Sequence, residues 1–285
     1  MMQAADIEAA FRAACAVELA APKPGNVHVH APGHGMTEAD FRRSAEVAAA
    51  PLCRPGAGLG ARILQAVTAT RAAVGQNTNL GILLLCAPLA MAAARDGALR
   101  ASLRAVLAAS DLADADAVFR AIALAAPGGL GDAPRHDVRR PATVTLPEAM
   151  QEAAERDSIA RQYANGFAEV FTIGAATCAA ALARGWAAPW AAVAVYLEFL
   201  ARMPDSHVQR KFGPARAAGV QEAAAPWRGR LADADDPTSL LPELLNWDAD
   251  LKRRGINPGT SADLTVASIF AHMLRGTLRP DGMDG

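Results

Sequence analysis

The longest apolar run in the chain, Leu80 to Ala94, carries no charge and contains Pro88. It falls short of the roughly 20 residues that a membrane-spanning helix needs. Such a segment has to be enclosed by protein on every side, so it reads as a buried core helix. What can enclose it follows from the rest of the chain. Alanine is abundant, aromatic residues make up only 5%, and runs of β-branched residues are scarce. Long stretches of Ala, Leu, Arg and Glu favour helix over strand, and alanine-rich helices pack closely. The predicted fold class is therefore all-α, a single-domain multi-helix bundle over residues 1–285. No internal repeat is apparent, and no linker is long enough to force a domain cut.

Charge excludes some functions. With 28 basic and 29 acidic residues, the chain has no bulk electrostatic reason to bind nucleic acid or an anionic membrane. Asp6 and Glu8 replace the basic start of a signal peptide. The four cysteines (Cys15, Cys53, Cys86, Cys178) are scattered without a Cys-x-x-Cys pair. They suit buried thiols in a reducing cytoplasm better than a disulfide frame or a zinc site. The oligomeric state is left open, a homo-oligomer included.

Along the chain, Ile7, Phe11, Cys15 and Leu19 form one apolar stripe of a first helix over 3–20. Lys23-Pro-Gly-Asn-Val-His-Val-His30 cannot be helical, with two prolines and a glycine in its vicinity. Lys23 is the only lysine in the first two hundred residues. It reads either as a phosphate contact on a rigid turn or as a solvated loop lysine. His28, His30 and His34 read as a metal cluster or as ordinary loop histidines. Thr37 and Asp40 have the form of a capping box opening a helix over 38–50, and a further helix follows over 59–74. Asn77 or Thr78 is the expected cap of the apolar helix. Asn77 and Asn79 either serve that cap or hydrogen-bond a nucleotide or metal-bound water.

Helices are expected over 97–111 and 114–125, then a long loop over 126–147 that could act as a lid. Helix resumes over 146–182, with Asp157 and Arg161 spaced as an ion pair, and again over 186–202. Asp205, His207, Arg210 and Lys211 then concentrate an acid, a base and two cations at a helix end. Helices over 214–226 and 238–254 lead to Asn257-Pro-Gly-Thr-Ser-Ala-Asp-Leu-Thr265. Here a turn enters a helix, with Thr260 and Asp263 spaced as a capping box. A helix start of this kind suits a phosphate, and Asp263 beside it could hold a metal or a ribose hydroxyl. The plainer alternative is an ordinary capped helix.

Taken in order, these segments resemble the triphosphoribosyl-dephospho-CoA synthase family over roughly residues 10 to 275. The resemblance rests on Lys23-Pro24-Gly25, on Gly33-His34-Gly35-Met36, and on Asp40-Phe41 with Ser44. It continues through Asn77-Thr78-Asn79-Leu80-Gly81, Asp205-Ser206-His207 with Arg210 and Gly213, and Pro258-Gly259-Thr260-Ser261-Ala262-Asp263-Leu264. His28 stands where citrate-lyase-type members carry an acid, and Asn79-Leu80 replaces their His-Lys. The chain is therefore closer to a divergent, archaeal-type branch.

The resemblance implies an all-helical enzyme with a nucleotide cleft at helix N-termini. It implies attack of an acceptor hydroxyl, on 3′-dephospho-CoA or a related cofactor precursor, at C1′ of ATP, with release of adenine. ATP as substrate and Mg²⁺ are implied with it. On this basis Asp205, Asp263 and His34 are the expected catalytic residues. Asp205 and Asp263 are the expected Mg²⁺ ligands. Lys23, Gly25, Asn77, Thr78, Asn79, Gly259, Ser261 and Arg210 are the expected nucleotide contacts. Two rival readings stand beside it. One is a metal-dependent phosphohydrolase of the helical His-Asp type, built on His136 and Asp137. The other is a nucleotide-binding protein without turnover.

Overall fold

The computed structural model describes residues 1–128 and 135–277. Fourteen α-helices and isolated bridges make up the regular structure of these residues, with no strand among them. The helix enclosed by the rest is α4 (Leu80–Ala93), in which every residue but Met91 is buried. It is walled by α1 (Ala4–Ala20), α2 (Glu38–Cys53), α3 (Leu59–Val74), α5 (Leu99–Ala108) and α14 (Gly259–Thr277). Between α5 and the long loop lies α6 (Leu112–Ala125), packed on α3. The final helix α14 runs through the middle, against α1, α4 and α10 (Ala188–Arg202). Phe270 of α14 meets Phe11 of α1 edge to face, with ring centroids 6.0 Å apart.

Pro88 sits in the middle of α4 and has no N–H for the Leu84 carbonyl, its usual partner one turn back. That carbonyl is buried, and the fold supplies another donor. The Tyr163 hydroxyl reaches it at 2.6 Å from α8 (Ser158–Asn165). The tyrosine that repairs the proline thereby also fixes α8 against the core.

The sequence predicts continuous helix over 146–182, but the chain breaks there twice. After the described part of the long loop come α7 (Leu146–Ala153) and α8, then a π-helical segment, Val170–Ala175, running into α9 (Ala176–Ala183). Asp157 causes the first break, because its Oδ1 accepts from the Ile159 and Ala160 N–H groups and starts α8 afresh. Gly166 and Phe167 adopt left-handed conformations that end α8. The π segment places Gly174 against α14 so tightly that a Cβ there would lie 1.9 Å from Ser268 Oγ. The remaining helices are α11 (Ser206–Phe212), α12 (Pro214–Asp233) and α13 (Leu241–Arg253). Among the described residues no single helix is long and apolar enough to cross a membrane.

Tyr163→Phe should lower unfolding stability by about 1–3 kcal/mol, the cost of a buried carbonyl left unpaired. Adding Pro88→Ala restores an N–H for Leu84. The double variant should therefore recover part of the loss in a denaturant-unfolding cycle, whereas strict additivity would show that the two residues are not coupled.

Candidate active site

Three non-helical turns and four helix starts converge at one end of the bundle. The Lys-Pro-Gly loop is held there by Asp248 of α13, whose Oδ1 accepts from Gly25 N at 2.8 Å. Its Oδ2 accepts from Lys252 Nζ at 2.9 Å and faces His28 Nε2 at 3.4 Å. Burial pushes the Asp248 carboxyl up, but the contacts from His28 and Lys252 outweigh this and leave it below the usual range. Gly25 has φ +85°, and a Cβ on it would lie 2.8 Å from Pro258 Cδ, so only glycine allows the loop to meet the Asn-Pro-Gly turn. Asn26 Nδ2 donates to Asn257 Oδ1 at 2.8 Å across the same contact.

The starts of α11 and α14 are joined by Asp205. Its Oδ1 accepts from His207 N and Val208 N, both at 3.0 Å. Its Oδ2 accepts from Ser261 N at 2.7 Å and Ser261 Oγ at 2.8 Å. Thr260, read from the sequence as a cap answered by Asp263, sits one residue inside α14. Its Oγ1 accepts from Ser206 Oγ and His207 N instead.

Beneath these turns lies a cavity of about 910 Å³. Asn77, Thr78, Asn79 and Gly81 bring the start of α4 to it, and Asp157 brings the start of α8. Arg210 and Lys211 supply cations from α11. Arg210 Nη1 donates to Asp157 Oδ2 at 2.5 Å. Asp157 thus pairs with Arg210, while Arg161, its expected partner, pairs with Glu169 at 3.1 Å.

Asp263 lies on the cavity wall over Gly81, where a Cβ would fall 2.0 Å from Asp263 Oδ2. Among the described residues nothing donates a hydrogen bond to its carboxylate. Although one side opens to the cavity, protein surrounds the rest. Burial first, and then the charges of Glu18 and Asp205, push its carboxyl well above the ordinary range. Three histidines line the cavity, His136 from the long loop and His34 and His207 from the turns above it. His34, in a left-handed turn at φ 56°, bonds through Nε2 to the Gly25 carbonyl at 2.8 Å. An acceptor there means that Nε2 carries the proton and Nδ1 a lone pair. His207 packs on the Gly259 backbone, leaving no room for a side chain at that position. Burial lowers the His34 and His207 imidazoles below 6.5, helped for each by nearby cations including Lys211.

The family profile described as CitG, ATP:dephospho-CoA triphosphoribosyl transferase, matches residues 4–281. This chain belongs to the CitG family. The CitG chain is also similar to a solved structure described as "putative triphosphoribosyl-dephospho-coA synthase from Archaeoglobus fulgidus". The two share 26% identity, with 82% of this chain and 98% of that one covered and a TM-score of 0.62. No curated protein matches the chain. The family is one of transferases, and the all-helical architecture and the triphosphoribosyl-transferase reading of the sequence agree with both findings.

The geometry redistributes the roles expected of CitG residues. Asn77, Thr78, Asn79, His34, Gly259, Arg210 and Asp263 all line the one cavity. Asn77 Oδ1 also caps α4 by accepting from Leu80 N, and Thr78 Oγ1 bonds Ser44 Oγ. Lys23 is different. Its ammonium is fully buried, bonded to Glu18 Oε1 at 3.0 Å and to the carbonyls of Glu18 and Val27. All three donors are used inside the protein, so it offers none to a phosphate. Asp205 is corrected in the same way, since helix starts and Ser261 occupy both of its oxygens and leave no lone pair aimed at a metal. Ser261 is spent on Asp205, and Gly25 acts through backbone shape.

His28 is buried behind Asp248 and its Nδ1 accepts from His30 N, so no three-histidine site forms. Among the described residues no group of three His, Cys, Asp or Glu side chains is placed to hold a metal. His136 and Asp137 lie on a loop rather than a helix, and Asp137 pairs with Arg139. The His-Asp phosphohydrolase arrangement is therefore not assembled.

Sequence reasoning missed Asp248 and Glu18. Glu18 was detectable. It falls seven residues after Phe11, on the buried stripe of α1, where a charge needs a partner. Lys23→Met should cost about 3–5 kcal/mol of stability by leaving Glu18 buried and unpaired, read as a large drop in melting temperature. Unchanged melting with weakened ATP binding would restore Lys23 to the phosphate.

Proposed function

We propose that the cavity binds ATP with its triphosphate against the start of α4 and the cations of Arg210 and Lys211. Dephospho-CoA enters beside it as the acceptor. The observation that carries this reading is Asp263, an unbonded carboxylate on the wall between a helix N-terminus and two histidines. Free N–H groups and the positive end of α4 favour an anion. A cavity near the upper end of the usual ligand-pocket range leaves space for two substrates.

In this reading a ribose hydroxyl of the acceptor attacks C1′ of ATP and the C1′–N9 bond breaks. The departing electron pair leaves with adenine, which takes up one proton in exchange for the one the hydroxyl gives up, and the triphosphate stays on the transferred sugar. Positive charge develops at C1′ and offsets the burial that holds the Asp263 carboxyl up, so the side chain ionises there and stabilises that charge. His34 takes the hydroxyl proton at Nδ1, because Gly25 holds its Nε2–H. Asn77 and Thr78 shape the α4 start around the phosphates. Asp157 aims Arg210.

Mg²⁺ fits this donor set, although no ready-made cage supports it. It commonly binds through one or two carboxylates plus substrate phosphates, and Asp263 is one such carboxylate. When bound it would neutralise triphosphate charge. The four free cysteines support a cytoplasmic location, since burial keeps thiols such as Cys53 protonated up to about 12.

Incubation with ATP, Mg²⁺ and dephospho-CoA should release free adenine, separated by chromatography. ADP, AMP or pyrophosphate without adenine would overturn the transferase chemistry, and bound ATP with no product would favour a protein without turnover. Asp263→Asn should lower turnover by about 100-fold or more. The same change should raise stability at neutral pH. A carboxyl whose folded value is raised stabilises the fold below the ordinary carboxylate range and loses that contribution as pH rises toward the folded value. Melting curves against pH should therefore decline more steeply above about pH 4 for the wild type than for the variant.

A further inference from the structure

A second cavity of about 180 Å³ opens behind the first, and the two share Glu18, Phe41, Asn79 and Ile82 as a common wall. Its size corresponds to about six waters at about 30 Å³ each, which suits one flat bicyclic ring but not a nucleoside triphosphate. Phe41 offers an aromatic face, and Leu19, Ala45 and Ile82 add apolar surface. Cys15 is neutral here, because burial and the Glu18 charge push its thiol far up.

The exposed Arg12, Arg42 and Glu46 also line it, and two buried polar residues, Asn79 and Glu18, stand in the wall shared with the larger cavity. The amide nitrogen of Asn79 is buried, on a residue only 5% exposed, and donates to nothing in the protein. An unpaired buried amide costs free energy unless a ligand acceptor meets it. Beside it, Glu18 spends Oε1 on Lys23, and its other oxygen accepts no hydrogen bond among the described residues. Burial pushes the Glu18 carboxyl up and the Lys23 contact pulls it back in part, and the oxygen turned away from Lys23 can accept a hydrogen bond.

Resting on the reading of the larger cavity as the ATP site, we propose that the smaller cavity is the purine pocket that makes the enzyme select a 6-amino base. The Glu18 carboxylate accepts from the exocyclic amino group, and the Asn79 amide donates to ring nitrogen N1. A 6-oxo purine presents the reverse pattern. Its oxygen would face the carboxylate and its ring N–H would face the amide, so both contacts would become repulsive. The same placement sets C1′ at the wall between the cavities, beside Asp263.

The test uses free bases and needs no turnover, so it remains decisive even if the transfer reaction fails. Calorimetry on the full chain should show adenine binding at least tenfold tighter than hypoxanthine. Ala45→Leu, which fills only the smaller cavity, should weaken adenine binding at least tenfold while inorganic tripolyphosphate binds as in the wild type. Asn79→Ala should weaken adenine by a similar factor, and Glu18→Gln should narrow or invert the adenine preference. Glu18→Gln also strips Lys23 of its partner. If circular dichroism shows that variant unfolded, the Ala45 and Asn79 variants decide the matter. Equal binding of adenine and hypoxanthine, no adenine binding, or unchanged adenine affinity in Ala45→Leu would each overturn the proposal.

Discussion

Four hydrogen bonds to one buried carboxylate, Asp205, tie the beginning of α11 to the beginning of α14. Helix starts leave N–H groups without partners and carry partial positive charge, so two of them side by side repel unless an anion lies between. Asp205 is that anion. With it in place, His207, Arg210 and Lys211 face the same space as Asp263. Asp205, expected from the sequence as a metal ligand together with Asp263, instead holds together one wall of the cavity. Asp248 does the equivalent work for the Lys-Pro-Gly loop, through Gly25, His28 and Lys252.

The arrangement separates charges by task. Lys23 and Glu18 neutralise one another inside the protein, where a lone charge would be costly. Arg210 is shared with Asp157 and aimed at the cavity. Asp263 receives no such compensation and sits among other carboxylates. In the proposed transfer, an acid without a hydrogen-bond donor among the described residues would meet the cationic charge of the transition state. The fold tolerates that cost because α4 and α14 are anchored elsewhere, through the Phe11–Phe270 contact and the Tyr163 bond to Leu84.

Most helices lie close to where periodicity and punctuation put them. The apolar helix, the capping box at Thr37 and Asp40, and the glycine end of α3 all follow from local rules. The break at Asp157 was less visible, because an aspartate spaced four from an arginine reads equally as an ion pair on a continuous helix. The Thr260–Asp263 spacing misled for a related reason. A capping box is local, and Thr260 was drawn instead to α11, which no local pattern could show. Lys23 misled most. A lysine in a Pro-Gly turn is normally solvated, and only the depth of the turn, set by Gly25 against Pro258, reveals it as buried.

The sequence by itself determined that the chain is helical, that Leu80–Ala93 must be enclosed, and that its Gly, Asn and Asp motifs form turns and helix starts. These are consequences of spacing and backbone conformation over a few residues. Only the tertiary structure decided which carboxylates are spent and which are free. Asp205 and Asp263 carry the same side chain near helix starts, and their difference lies in what donates to each of them. Donors such as Ser261 N come from 56 positions away, and hydrogen bonds at that range are fixed by packing, not by neighbours in the chain.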